Sequence, residues 1–89
     1  MIKPYVDINE VGTELVRTFS QDIDPIELKW HRDDETRHLI SENDTDWMIQ
    51  MDNALPTSLN NIVTIPKHDW HRLIKGTEDL TLKIKKEKV

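Results

Sequence analysis

Leu28-Lys29-Trp30-His31-Arg32-Asp33-Asp34-Glu35-Thr36-Arg37 is the stretch on which the fold and the chemistry turn. Just before and within it, Ile26, Leu28 and Trp30 alternate with Glu27, Lys29 and His31, which is the period-two signature of a strand. A strand here delivers the imidazole of His31 and, two residues on, the carboxylate of Asp33 from one face. The best third group lies far away, His71 in Ile65-Pro66-Lys67-His68-Asp69-Trp70-His71-Arg72. Two histidines and one carboxylate form a ligand set used for divalent iron and related metals. If His31 faces inward, Ile26, Leu28 and Trp30 face outward. A dimer interface over them, or a bulge that shifts the alternation, would reconcile the two.

On the N-terminal side, Tyr5-Val6-Asp7-Ile8 alternates weakly and reads as a first strand, with Pro4 tolerable at an edge. Val11 to Phe19 fits either a strand or a single turn of helix, and Ser20 to Pro25 reads as a loop because Pro25 disfavours helix at Asp24. On the C-terminal side, Thr36 to Ile40 is a strand, and Ser41-Glu42-Asn43-Asp44 is a turn. Trp47, Ile49 and Met51 alternate with Met48, Gln50 and Asp52 in the next strand. A short segment around Leu59 leads to Asn60-Asn61, Ile62 to Ile65 forms a strand that stops at Pro66, and Trp70 to Ile74 forms another. Leu80, Leu82 and Ile84 alternate with Thr81, Lys83 and Lys85 in a half-buried strand.

Seven or eight short antiparallel strands with no long helix predict an all-β sandwich or small barrel. In so small a protein open edges invite pairing, which a jelly roll or a paired dimer prevents. No internal repeat or low-complexity segment stands out. The expectation is one domain over residues 1–89: an N-terminal strand or arm over 1–24, a barrel core over 25–84 and a basic tail over 85–89.

Composition narrows the chemistry. The chain has 89 residues and no cysteine, which excludes disulfides, zinc thiolate sites and thiol nucleophiles. A metal must then be held by His, Asp or Glu. The formal charge of −5 argues against nucleic acid as a partner, because duplex binding needs clustered Lys and Arg. No stretch approaches the roughly 20 apolar residues of a membrane span, and Met1-Ile2-Lys3-Pro4-Tyr5 lacks the apolar run of a signal peptide. The expected setting is the cytoplasm.

The run from Pro25 to Ile84 resembles a minimal cupin, of the very small cupin-like kind found in phages and bacteria. The first cupin motif runs Gly, five residues, His-x-His, three or four residues, Glu, six residues, Gly. His31 matches its first His, Asp33 stands at its second, and the Glu position falls on Arg37 or His38. Pro25 and Asp44 or Thr45 stand where its glycines should be. The second motif runs Gly, five residues, Pro-x-Gly, two residues, His, three residues, Asn. Asn60, Pro66 and His71 match its spacing, with His68 at the inner Gly and Lys75 at the Asn. The resemblance implies a small jelly-roll barrel with a divalent metal in its mouth: iron, manganese, nickel or zinc, held by His31, Asp33 and His71 with His38 as an optional fourth ligand. It implies no organic cofactor. Arg37 is the departure that opposes this, since a guanidinium in the mouth repels a cation.

The same residues admit a plainer use, in which His31 and Asp33 form a hydrogen-bonded pair with Arg37 or Arg72 neutralising the carboxylate. Arg37, Gln50 and Arg72 are candidate binders of an anionic small molecule, because guanidinium groups bind carboxylates through paired hydrogen bonds. Trp30, Trp47 and Trp70 are expected in the core or at a homodimer contact. Three functions follow: a metal-dependent enzyme on a small organic substrate, a small-molecule binder without turnover, and an interaction protein whose mouth is filled by Arg, Asp and His pairs.

Overall fold

Alternating apolar residues need a second layer to cover them, and the chain supplies one by crossing repeatedly between two sheets. The computed structural model describes residues 3–87. Its strands are β1 (Val6–Val11), β2 (Glu14–Phe19), β3 (Arg37–Ser41), β4 (Met48–Met51), β5 (Thr57–Ser58), β6 (Val63–Ile65), β7 (His71–Ile74) and β8 (Leu80–Lys86). One sheet has the order β1-β2-β8-β3-β6 and the other β5-β4-β7, and every strand pairing is antiparallel. From β3 onward the chain visits the large sheet, the small sheet twice, the large, the small and the large again. Both sheets are open in their hydrogen-bonded order among the described residues, so the expected barrel is realised as two facing sheets.

β8 is the centre of the large sheet and shows why alternation specifies register. Leu80, Leu82 and Ile84 are buried while Lys83 and Lys85 are exposed. Slipping β8 by one residue against β2 or β3 would put the lysines in the core, so the register Leu15↔Ile84↔Leu39 is strongly enforced. Phe19, Leu39 and Ile65 extend this layer, and Trp47, Ile49 and Leu59 of the small-sheet side close on it. Trp47 is fully buried, tilts against Phe19 at 5.9 Å between ring centroids, and donates its indole N–H to the Glu78 carbonyl. The donor matters because a buried indole without a partner forfeits its hydration.

The ambiguous segment from Val11 to Phe19 is a strand, turned out of β1 at Gly12, whose φ of 61° is the left-handed conformation that glycine adopts without a Cβ penalty. β2 lies between β1 and β8, so β1 and β2 both belong to the large sheet. Lys85 and Lys86 likewise belong to β8, and the rest of the expected basic tail falls partly outside the described residues.

The strand expected over Ile26 to His31 is not formed. Pro25–Glu27 is a single 3₁₀ turn, with Pro25 supplying a preset φ at its start and Asp24 Oδ1 accepting from the Ile26 N–H at 3.0 Å. The cap outcompetes the ladder, and the turn breaks the alternation. Leu28 therefore packs against the core, Ile26 stays exposed, and no outward apolar stripe needs covering. Trp30 and Trp70 are 40% and 45% exposed, so of the three tryptophans Trp47 alone is core.

Candidate metal centre

After the 3₁₀ turn and a bend at Leu28 the chain touches the small sheet at one point, an isolated antiparallel bridge between His31 and His71. The two residues exchange both backbone hydrogen bonds, His31 N–H to His71 C=O at 3.0 Å and His71 N–H to His31 C=O at 2.9 Å. In such a pair the side chains leave the same face, and the rings meet with centroids 4.3 Å apart at 63°. Asp33, two residues past His31, joins from the same side. One ligand atom from each of His31, Asp33 and His71 lies within 4.8 Å of the others.

The hydrogen bonding of the two rings is the same. His31 Nδ1 lies 3.0 Å from the Lys29 carbonyl, and His71 Nδ1 lies 2.8 Å from the Asp69 carbonyl. A carbonyl oxygen accepts only, so each bond places a proton on Nδ1, and a neutral ring then carries its lone pair on Nε2. His71 Nε2 is 3.2 Å from Asp33 Oδ2, yet that oxygen is buried and has no hydrogen-bond partner. A bare nitrogen facing a bare carboxylate oxygen is stable only with positive charge between them, from a ring proton or from a cation.

Arg37 approaches the same oxygen, Nε to Oδ2 at 3.6 Å, but its closer partner is Glu35, which accepts from Nε and from Nη2 at 2.8 Å each. Glu35 thus neutralises the guanidinium that stands near the fourth cupin position. With both rings neutral, the group formed by His31, His71, Asp33, Arg37 and Glu35 carries one net negative charge, a fit for a dication. Burial opposes ionisation of Asp33 and is the largest single influence on it. With a proton on His71 Nε2, a hydrogen bond from that ring, the Arg37 charge and the positive charge of the His71 and His31 rings together outweigh it and hold the carboxyl below its ordinary range. In a metal-bound state the cation would take the place of that ring charge.

The other expected site residues lie elsewhere, for a reason that period-two geometry supplies. His38 follows Arg37 on β3 and therefore points to the opposite face, where its ring nitrogens meet Thr64 Oγ1 at 2.9 Å and Glu87 Oε2 at 2.6 Å. Arg72 follows His71 and also faces outward, donating to Gln50 Oε1 at 3.0 Å across the β4–β7 pair. The structure brings together His31, Asp33, His71 and Arg37, and leaves His38, Gln50 and Arg72 outside the group. Sequence reading missed Glu35 as the partner of Arg37, Arg17 in the cavity wall, and the tripeptide Trp-His-Arg, which occurs at 30–32 and again at 70–72. That repeat was the available signal that the two histidines are equivalent.

The histidines open on a cavity of about 290 Å³ between the sheets. Its apolar wall includes Phe19, Leu39, Ile49, Leu73 and Leu82, and its charged side chains are Arg17, Lys29 and Arg37 with Glu27 and Asp33. Arg17 is committed to Asp7 through Nε at 2.6 Å and Nη2 at 3.0 Å, and its guanidinium lies 3.7 Å from the Tyr5 ring centroid. Lys29 has no ion-pair partner among the described residues.

No family model and no curated protein matches the chain. Solved structures do. A DMSP lyase structure superposes with a TM-score of 0.69 at 13% identity, over 85% of this chain and 38% of that one. Fe(II)-HppE with the alternative substrate (S)-1-HPP superposes with a TM-score of 0.65 at 17% identity, over 83% of this chain and 41% of that one. This chain thus corresponds to about two fifths of each of those two. An RmlC-like cupin family protein with a double-stranded β-helix fold, from Methanocaldococcus jannaschii, superposes with a TM-score of 0.64 at 16% identity, over 96% of this chain and 82% of that one. Eight antiparallel strands crossing between two sheets, with these neighbours, give the chain the cupin fold.

Proposed function

We propose that the protein binds a divalent metal ion through His31, Asp33 and His71 and acts on a small organic molecule in the adjoining cavity. The observation that carries this reading is the pair of Nδ1-anchored imidazoles converging on the buried, unpartnered Asp33 Oδ2. When bound, the ion would supply Lewis-acid or redox chemistry at positions the three side chains leave open. The protein's own part is positional: carbonyls of Lys29 and Asp69 fix the rings, and the apolar wall excludes water. Arg37, with Lys29 at the mouth, offers donors to an acidic group on the bound molecule. The DMSP lyase and the iron-containing HppE among the structural neighbours support a metal-dependent reaction on a small molecule.

One observation favours a second reading, in which the protein binds without turnover. Arg37 and His71 both approach Asp33 and, with a proton on His71 Nε2, would satisfy the carboxylate without any ion. Elemental analysis of protein purified without added metal or chelator separates the two. The first reading expects about one metal per chain, lost in His31→Ala. Absence of metal from freshly purified protein, and failure to take up added Fe(II), Mn(II), Ni(II) or Zn(II), supports the second. Oxygen uptake or product formation with candidate small acids then tests turnover. A homodimer belongs to the same proposal: Val6, Ile8 and Val11 on the edge strand β1 are exposed apolar residues that a second copy would cover, and light scattering reads the mass.

A further inference from the structure

Behind the two histidines, on the outer face of the small sheet, the repeated tripeptides Trp30-His31-Arg32 and Trp70-His71-Arg72 meet head to tail. With His31 opposite His71, antiparallel register sets Trp30 opposite Arg72 and Arg32 opposite Trp70. These flanking positions are the non-hydrogen-bonded kind, at which side chains approach most closely. The Arg72 guanidinium lies 4.7 Å from the Trp30 ring centroid, and the Arg32 guanidinium 5.4 Å from that of Trp70. Both distances are within cation–π range. Arg72 is aimed further by Gln50, whose Oε1 accepts from its Nε while Gln50 Nε2 donates to the Ala54 carbonyl at 3.1 Å.

The segment is anchored before His31 by Leu28, packed on the core, and after it by the Asp33 carbonyl, which accepts from the His68 N–H at 2.8 Å, so what orients His31 between those anchors is its contact with β7. β7 is laddered to β4 along four residue pairs, whereas the segment carrying His31 meets the sheet at one bridge among the described residues. We propose that Trp30, Arg32, Trp70 and Arg72 form a reciprocal clasp that positions His31 against His71, so that metal affinity is set partly by residues on the far side of the sheet. They are positioning residues and touch neither metal nor bound molecule. The inference rests on the metal reading for its main readout and on the bare protein for its second. Because Arg72 is nearer its ring and oriented by Gln50, the Trp30–Arg72 half of the clasp carries more than the Arg32–Trp70 half.

The test is Ni(II) titration by calorimetry into wild type, Trp30→Ala, Trp30→Phe and Arg32→Ala, alongside the nuclear Overhauser effect between the His31 and His71 rings in metal-free protein. Outer-shell partners of metal ligands cost about 10- to 100-fold when removed. Trp30→Ala is expected to weaken Ni(II) binding by about 10-fold and to lose the ring-to-ring signal. Trp30→Phe keeps a π face and should restore both, a rescue that bulk packing loss alone does not predict. Arg32→Ala should weaken binding less than Trp30→Ala. Should Trp30→Ala fail to fold, Arg72→Met keeps the aliphatic stem, removes the charge and is expected to behave the same way. Unchanged Ni(II) affinity and an unchanged ring-to-ring signal in Trp30→Ala or Arg72→Met overturn the clasp. If wild type binds no Ni(II), the metal reading fails, and the ring-to-ring signal alone decides: lost in Trp30→Ala and kept in Trp30→Phe supports the clasp, kept in both overturns it.

Discussion

The same three residues, Trp-His-Arg, are held in two different ways. His71 is 3% exposed in β7, with β4 on one side and the His31 segment on the other. His31 is exposed, follows a 3₁₀ turn, and reaches the sheet through one bridge. The neighbours decide how firmly a histidine is held, and the tripeptide decides only which way its ring points. One ligand is therefore built into the fold, and the other is delivered to it.

The largest expected effect is on the fixed side. Gly76 follows β7, and a Cβ there would run into the Asp46 carboxylate and come within 2.7 Å of the Trp47 backbone nitrogen. Gly76→Ala should cost about 3 kcal/mol in chemical denaturation, because Trp47 is fully buried and cannot yield. His71→Ala comes next, at about 2 kcal/mol, since it removes a buried ring and leaves Asp33 with less compensation. His31→Ala should abolish metal uptake as completely as His71→Ala while shifting stability by less than about 0.5 kcal/mol, as exposed substitutions do. Equal destabilisation by the two alanine variants would break the comparison.

A smaller effect supplies a control distant from both tripeptides. The Arg17 hydrogen bond holds the Asp7 carboxyl below its ordinary range, with partial burial opposing and the Arg17 charge reinforcing it. A depressed folded pKa adds stability above the unfolded value, about 3.9, that is lost as pH falls through the folded value. Asp7→Asn should therefore be less stable than wild type by about 0.5–1 kcal/mol at pH 7, and the gap should close below about pH 4. Metal affinity should be unchanged in this variant. For wild type, metal should be lost on acidification, because protons compete with the ion for the ligand nitrogens and oxygens.

β8 was legible because it alternates cleanly, which is what a sheet with one buried face requires. β3, by contrast, was read from its β-formers, and β2 stayed open between strand and helix because Val11, Leu15 and Phe19 also fit a helical face. His31, Asp33 and His71 were legible as a group through their spacing and the cupin resemblance. Residues 26–31 were misread because Asp24 and Pro25 start a turn whose cap outweighs the alternation that follows. Gln50 and Arg72 were misplaced although the same geometry located them: each directly neighbours an inward residue, Ile49 and His71, and so faces outward. The Glu35–Arg37 pair was not legible, since nothing in a charged loop says which carboxylate turns back.

The most direct test is anomalous diffraction from crystals of protein purified without added metal or chelator. A peak is expected about 2.0–2.2 Å from His31 Nε2, His71 Nε2 and an Asp33 oxygen. A map with no anomalous density there, and with Asp33 hydrogen-bonded to Arg37 and His71 instead, would contradict the metal reading.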